Sequence, residues 1–178
     1  ATPRVARGAA YADIDNDGAL DVLMTTNAGR PWLFRNEGGT NQSLRVKLVG
    51  TKSNRDGIGT IVKVVSGKDQ QSHTLRSGSS YLSQSELVLT FGLGSLKKAD
   101  AIEVYWPSGA VDRLANVDAG QTITVQEGKG IVGSRPYGAG KVSAAPSKAL
   151  PTTGSNSTTP IAQIGVVLLA AGAGATVV

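Results

Sequence analysis

Residues Ala12–Leu23 read ADIDNDGALDVL. Aspartate stands at 13, 15, 17 and 21 in a chain whose formal net charge is +5. Carboxylates this crowded repel one another, and a cation is the obvious offset. Alternate positions of a tightly turning loop converge on one point, which suits a hard cation with oxygen ligands. Asp13, Asp15 and Asp17 are expected to supply side-chain oxygens and Ala19 its backbone carbonyl. Asp21 is expected to close the sphere directly or through water. Gly18 lacks a Cβ and permits the sharp turn. An all-oxygen set favours Ca²⁺, as a structural ion, over Zn²⁺ or Cu²⁺. The twelfth position of an EF-hand loop is a bidentate Glu, and Met24 stands there, so this is a loop between strands. The competing reading is a solvated turn rich in Asp and Asn.

Outward from the loop, YADIDNDGALDVLMTTN reads as strand end, acidic loop and strand, and PWLFRNEGG as a short strand closed by a Gly turn. From about residue 41 to 128, short runs alternate apolar and polar residues with turn residues between them. Leu44, Val46 and Leu48 share one face, with Arg45 and Lys47 on the other. Ile102, Val104 and Trp106 form a second set, and Ile123 and Val125 a third. TIVKVVSG, QQSHTLRSG and ELVLTFGLG add strands. The expected fold class is all-β, with a sandwich-like domain and no helix in this zone. Phe91 and Trp106 are expected in the core, and Gly57, Gly59, Gly92 and Gly94 at turns or tight backbone approaches.

Residues 129–178 carry four basic residues and no acid. Residues 129–149 are rich in Gly, Pro, Ser and Ala and read as an extended linker. LPTTG (Leu150, Pro151, Thr152, Thr153, Gly154) follows, then a polar spacer. Residues 161–178 contain no charge, and eighteen helical residues would span about 27 Å, close to the roughly 30 Å of a hydrocarbon core. A buried core helix is the alternative.

Composition excludes several chemistries. With no cysteine there is no disulfide and no thiolate site. The only histidine, His73, lies in a strand with no defined partner, and no nucleophile motif is present, so no catalytic residue is assigned. Basic residues are not interleaved with aromatics, which excludes nucleic acid as a partner.

ADIDNDGALDVL, preceded by Tyr11 and followed by WLFRNEG, resembles an FG-GAP/VCBS-type repeat. The resemblance implies one blade of a β-propeller over residues 1–40, with a Ca²⁺ loop and sister blades upstream of Ala1. NRDGIGTIVKV (54–64), SGSSYLSQSE (77–86), FGLG (91–94) and VYWPSG (104–109) resemble the ASPIC/UnbV domain, which commonly follows such repeats. The cartilage acidic protein family shows that pairing. LPTTG with its spacer and apolar segment is similar to the L-P-x-T-G sorting signal of Gram-positive surface proteins. That resemblance implies a sortase acting at Thr153 and peptidoglycan as acceptor, with 161–178 in the membrane only transiently. Such signals finish with a Lys/Arg run that 161–178 lacks. The expected protein is the C-terminal part of a secreted, wall-anchored, calcium-binding protein whose ligand is a glycan or a protein. The alternatives are the accessory and anchoring region of a surface enzyme, and a passive spacer.

Overall fold

Alternating side chains dictate strands, and strands are what residues 5–138, described by a computed structural model, form throughout. The first three are β1 (Ala6–Ala12), β2 (Asp21–Thr26) and β3 (Trp32–Phe34), an antiparallel sheet in the order β1-β2-β3. The acidic loop joins β1 to β2, whose register sets Ala12 opposite Asp21. Its entry and exit are therefore held one strand spacing apart.

Eight more strands follow: β4 (Gln42–Val49), β5 (Ile61–Ser66), β6 (Asp69–Thr74), β7 (Val88–Gly94), β8 (Lys98–Tyr105), β9 (Val111–Asp118), β10 (Gln121–Gln126) and β11 (Gly130–Pro136). They build two four-stranded sheets, β11-β10-β4-β7 and β6-β5-β8-β9, and neither closes into a barrel. All neighbours pair antiparallel except β4 and β10, which run parallel with Leu44 opposite Gln121 and Val49 opposite Gln126. The described residues contain no helix.

One core joins the two sheets. Leu44, Val46, Phe91, Ile123 and Val125 from the first and Val62, Val64, Ile102 and Val104 from the second are at most 1% exposed, and Trp106 is also buried. Full burial of each such side chain is worth roughly 1.5–3 kcal/mol, so this face-to-face pair is where stability resides. The apolar sets expected from alternation at 44/46/48, 102/104/106 and 123/125 are all in it. Gly57 takes φ +69°, with a Cβ there falling 2.8 Å from Leu48 Cβ. Gly92 lies inside β7 with no positive φ and no close neighbour, so its expected turn role is not realised.

Two strands escaped the pattern. Gly130–Pro136, expected as the opening of the 129–149 linker, is β11, antiparallel to β10. It is a strand because it covers the outer edge of β10; its own side chains are largely exposed and show no alternation. β9 was missed for a similar reason, its run VDRLANVD burying only Val117 fully. The rest of the expected linker, the sorting motif at 150–154 and the expected terminal helix at 161–178 lie outside the described residues. No described helix is long and apolar enough to cross a membrane.

The small sheet is fastened to the sandwich by the 79–86 segment. Ala9 N–H donates to Ser80 Oγ (3.0 Å), Tyr11 N–H to Ser85 Oγ (3.2 Å), and Glu86 N–H to the Tyr11 carbonyl (3.1 Å). Polar groups along one edge of β1 are thereby satisfied by the sandwich.

Candidate metal centre

The acidic loop wraps around its own first carboxylate. Asp13 Oδ1 accepts the Asp17 N–H (3.0 Å), and Asp13 Oδ2 accepts the Gly18 N–H (2.9 Å). Asp17 Oδ1 accepts the Ala19 N–H (2.8 Å). The tight path requires left-handed backbone at Asn16 (φ +58°) and Gly18 (φ +90°). Asn tolerates that region and Gly adopts it freely.

This wrapping brings carboxylate oxygens of Asp13, Asp15 and Asp17 within 4.8 Å of one another. Oxygens on opposite sides of a Ca²⁺ bound at about 2.4 Å stand about 4.8 Å apart, so the three fit around one ion. Asp15 Oδ1 is buried and has no hydrogen-bond partner. A buried acceptor left unmade costs about 1–3 kcal/mol, and a cation in the loop would satisfy it.

Asp21 stands outside this trio. Its carboxylate is buried, with Oδ2 accepting the Ile14 N–H (3.0 Å) and Oδ1 the Asn36 N–H (2.8 Å). It ties the start of the loop to the segment after β3. Ala19, half-buried, directs its amide at Asp17.

Two arginines supply part of the offset that the sequence suggested for a metal alone. Arg35 ion-pairs with Asp15 Oδ2 at the surface. Arg45, on β4, reaches Asp13 Oδ2 at 2.9 Å and also pairs with Glu86. The Arg45 side chain is 5% exposed and that of Asp13 0%. Alternation places Arg45 with Lys47 on the face opposite Leu44, Val46 and Leu48, and at Arg45 that face is covered by the acidic loop and Glu86. Glu86 Oε1 also accepts the Asp13 N–H (3.3 Å). Burial pushes both the Asp13 and Glu86 carboxyls above the usual range, with Arg45 opposing the shift in each.

A third element, the pair of residues after β11, also holds the loop. Ser43 Oγ donates to the Gly18 carbonyl (2.9 Å) and stands 3.1 Å from the Tyr137 hydroxyl. Gly138 N–H donates to the Asn16 carbonyl (2.8 Å). Nothing local in the sequence marks Arg45, Ser43 or Tyr137 as belonging to the loop, because tertiary packing alone assembles them.

At the opposite pole lies a carboxylate of another kind. Glu127 Oε2 accepts three consecutive N–H groups, from Thr51 (2.7 Å), Lys52 (2.7 Å) and Ser53 (2.8 Å). Its Oε1 accepts Ser53 Oγ (3.0 Å) and Ser108 Oγ. Burial works to raise this carboxyl, but the hydrogen bonds from Ser108 and the three amides outweigh it and hold it well below the usual range. Nearby, Asp112 Oδ2 accepts the Trp106 indole N–H (2.7 Å) and the Gly128 N–H (2.9 Å).

An open cleft of about 310 Å³ lies at the seam of small sheet and sandwich, with Tyr11, His73, Arg76, Ser79 and Glu86 in its lining. His73 is an exposed residue of β6 stacked on Phe91, with ring centroids 4.7 Å apart.

No curated protein matches the chain. A family match falls on the sandwich, from the loop after β4 into β11, and leaves the acidic loop outside it. Residues 50–132 match the family described as ASPIC and UnbV.

Proposed function

We propose that the chain is part of a secreted, calcium-binding surface protein anchored to a Gram-positive cell wall and used for binding or adhesion. The observation that carries the calcium reading is the trio Asp13, Asp15 and Asp17 with the buried, partnerless Asp15 Oδ1. These three carboxylates would hold the ion, with Ala19 and Asp21 completing or supporting the sphere. Calcium here would be structural. It would draw together like charges that Arg35 and Arg45 neutralise only in part, and so fix the β1–β2 connection. Under this proposal the small sheet is a blade packed against further blades upstream, and the ASPIC/UnbV domain stands between it and the wall.

Anchoring rests on LPTTG followed by the uncharged 161–178. A sortase cysteine would attack the Thr153 carbonyl and break the Thr153–Gly154 bond, releasing the Gly154 amine. A peptidoglycan amine would then take the Thr153 acyl group from the enzyme. The chain is the substrate of that reaction.

Calorimetric titration of Ca²⁺ into the full chain, with Asp15→Asn and Asp17→Asn alongside, tests the metal. The expected Kd is on the order of 10⁻⁴–10⁻³ M or tighter, with binding lost in both variants. A wild-type chain that gives no binding heat and no thermal shift overturns the calcium reading. Mass spectrometry after incubation with a sortase and a glycine-terminated amine tests anchoring. The product should end at Thr153 carrying the amine, and an intact chain overturns it.

A further inference from the structure

The two left-handed residues of the acidic loop, Asn16 and Gly18, are each met by one of the two residues that follow β11. The Asn16 carbonyl accepts Gly138 N–H at 2.8 Å. The ring of Tyr137 lies against Gly18, where a Cβ would fall 2.3 Å from Tyr137 Cε2. The Gly18 carbonyl accepts Ser43 Oγ, which in turn meets the Tyr137 hydroxyl. Gly18 is thus glycine for two reasons, its φ of +90° and the ring above it. Both carbonyls belong to the stretch that sets the spacing of Asp15 and Asp17. Preorganising a loop in its bound shape raises affinity by lowering the ordering cost on binding.

We infer that Tyr137 is a positioning residue for the cation loop, so that Ca²⁺ affinity depends on the end of β11. The inference rests on the calcium reading above. Linkage makes the coupling reciprocal: whatever β11 docking adds to ion affinity, the ion returns to β11 docking. Bound Ca²⁺ therefore slows hydrogen exchange at the Gly138 amide and along β11, on the far side of the chain sequence from the acids.

The test uses the full chain with Tyr137→Leu and Tyr137→Phe, titrated with Ca²⁺ and with Tb³⁺ as a luminescent stand-in. Tyr137→Leu removes both ring and hydroxyl and is expected to weaken Ca²⁺ binding on the order of tenfold or more. Tyr137→Phe keeps the ring over Gly18 and should recover most of that affinity. Tb³⁺ affinity, read by direct excitation of the ion, should fall in Tyr137→Leu and recover in Tyr137→Phe in step with Ca²⁺ affinity; a side chain with no part in holding the loop would move neither. If Tyr137→Leu does not fold, wild-type exchange at Gly138 with and without Ca²⁺ decides. Ca²⁺ and Tb³⁺ affinities of Tyr137→Leu within twofold of wild type, or Gly138 exchange that Ca²⁺ leaves unchanged, overturn the inference. A wild-type chain that binds neither ion overturns the calcium reading itself, and is distinguished by being seen before any variant is made.

Discussion

The two poles of the molecule handle buried carboxylate in opposite ways. At Glu127, five donors from the chain converge on one carboxylate, and both oxygens are fully engaged. At the acidic loop, three carboxylates crowd together, two arginines answer them, and Asp15 Oδ1 is left without a partner. The shifts follow suit, with Glu127 held below the usual carboxylate range and Asp13 and Glu86 above it. The first arrangement is complete in itself and reads as a latch, joining the end of β10 to the 51–53 turn. The second leaves one carboxylate oxygen without a partner, and it is there that the proposed cation would sit. Burial of acid alone does not mark a ligand site; the balance of donors around it does.

The largest loss of stability is expected at the latch. Glu127→Gln sets an amide NH₂ among N–H and O–H donors, and those donors cannot relieve themselves by ionisation. Its melting temperature should fall furthest of the variants considered; a fall smaller than that of Arg45→Met would break the contrast. The pH dependence has a definite sign. Because the folded carboxyl lies below its unfolded value of about 4.3, its stabilisation is present above that pH and fades as pH falls through the folded value. The wild-type advantage over Glu127→Gln should therefore begin to shrink near pH 5 and continue to shrink with acid. A constant gap down to the acid transition would remove the latch.

Arg45→Met comes next. It strands Asp13 and Glu86, and breaking a buried pair typically costs 3–5 kcal/mol. Protonation of the stranded carboxyls, already shifted upward, softens the loss, so the deficit should narrow on acidification rather than widen. Urea melts at pH 5 and pH 8 would show it, and an equal deficit at both would contradict it.

Calcium should produce a smaller, separable gain. At a hundred times Kd it adds about 2.7 kcal/mol, visible in a thermal melt, absent in Asp15→Asn and retained in Glu127→Gln. Loss of the gain in Glu127→Gln would mean the two poles are not independent. The smallest effect is at Asp112→Ala, which leaves the indole N–H of buried Trp106 without its acceptor, at about 1–2 kcal/mol. A shift in its Ca²⁺ affinity would be unexpected.

Much of this was legible beforehand, for identifiable reasons. The period-two sets at Leu44/Val46/Leu48 and Ile102/Val104/Trp106 face the core because a strand offers no other way to bury them. The spacing of Asp13, Asp15 and Asp17 forecast their convergence, since it fixes which side chains turn inward. The burial of Arg45 was not legible because alternation gives the face of a strand but not what covers it. β11 was missed because its identity comes from the edge it completes, not from its own side chains. Asp21 looks like a fourth ligand in sequence, yet spends both oxygens on backbone amides, a choice set by the β2 register and the path after β3.

The parallel pairing of β4 with β10 has a consequence for the order of events in synthesis. β4 is an inner strand of its sheet, and one of its two neighbours is not made until residue 126 has been added. Contacts this distant in sequence are slow to form, and the partial chain meanwhile exposes the apolar side chains that will become the core. A nascent chain cut short before β10 should stay protease-sensitive and bind chaperones, and the sandwich should mature in one late step rather than strand by strand.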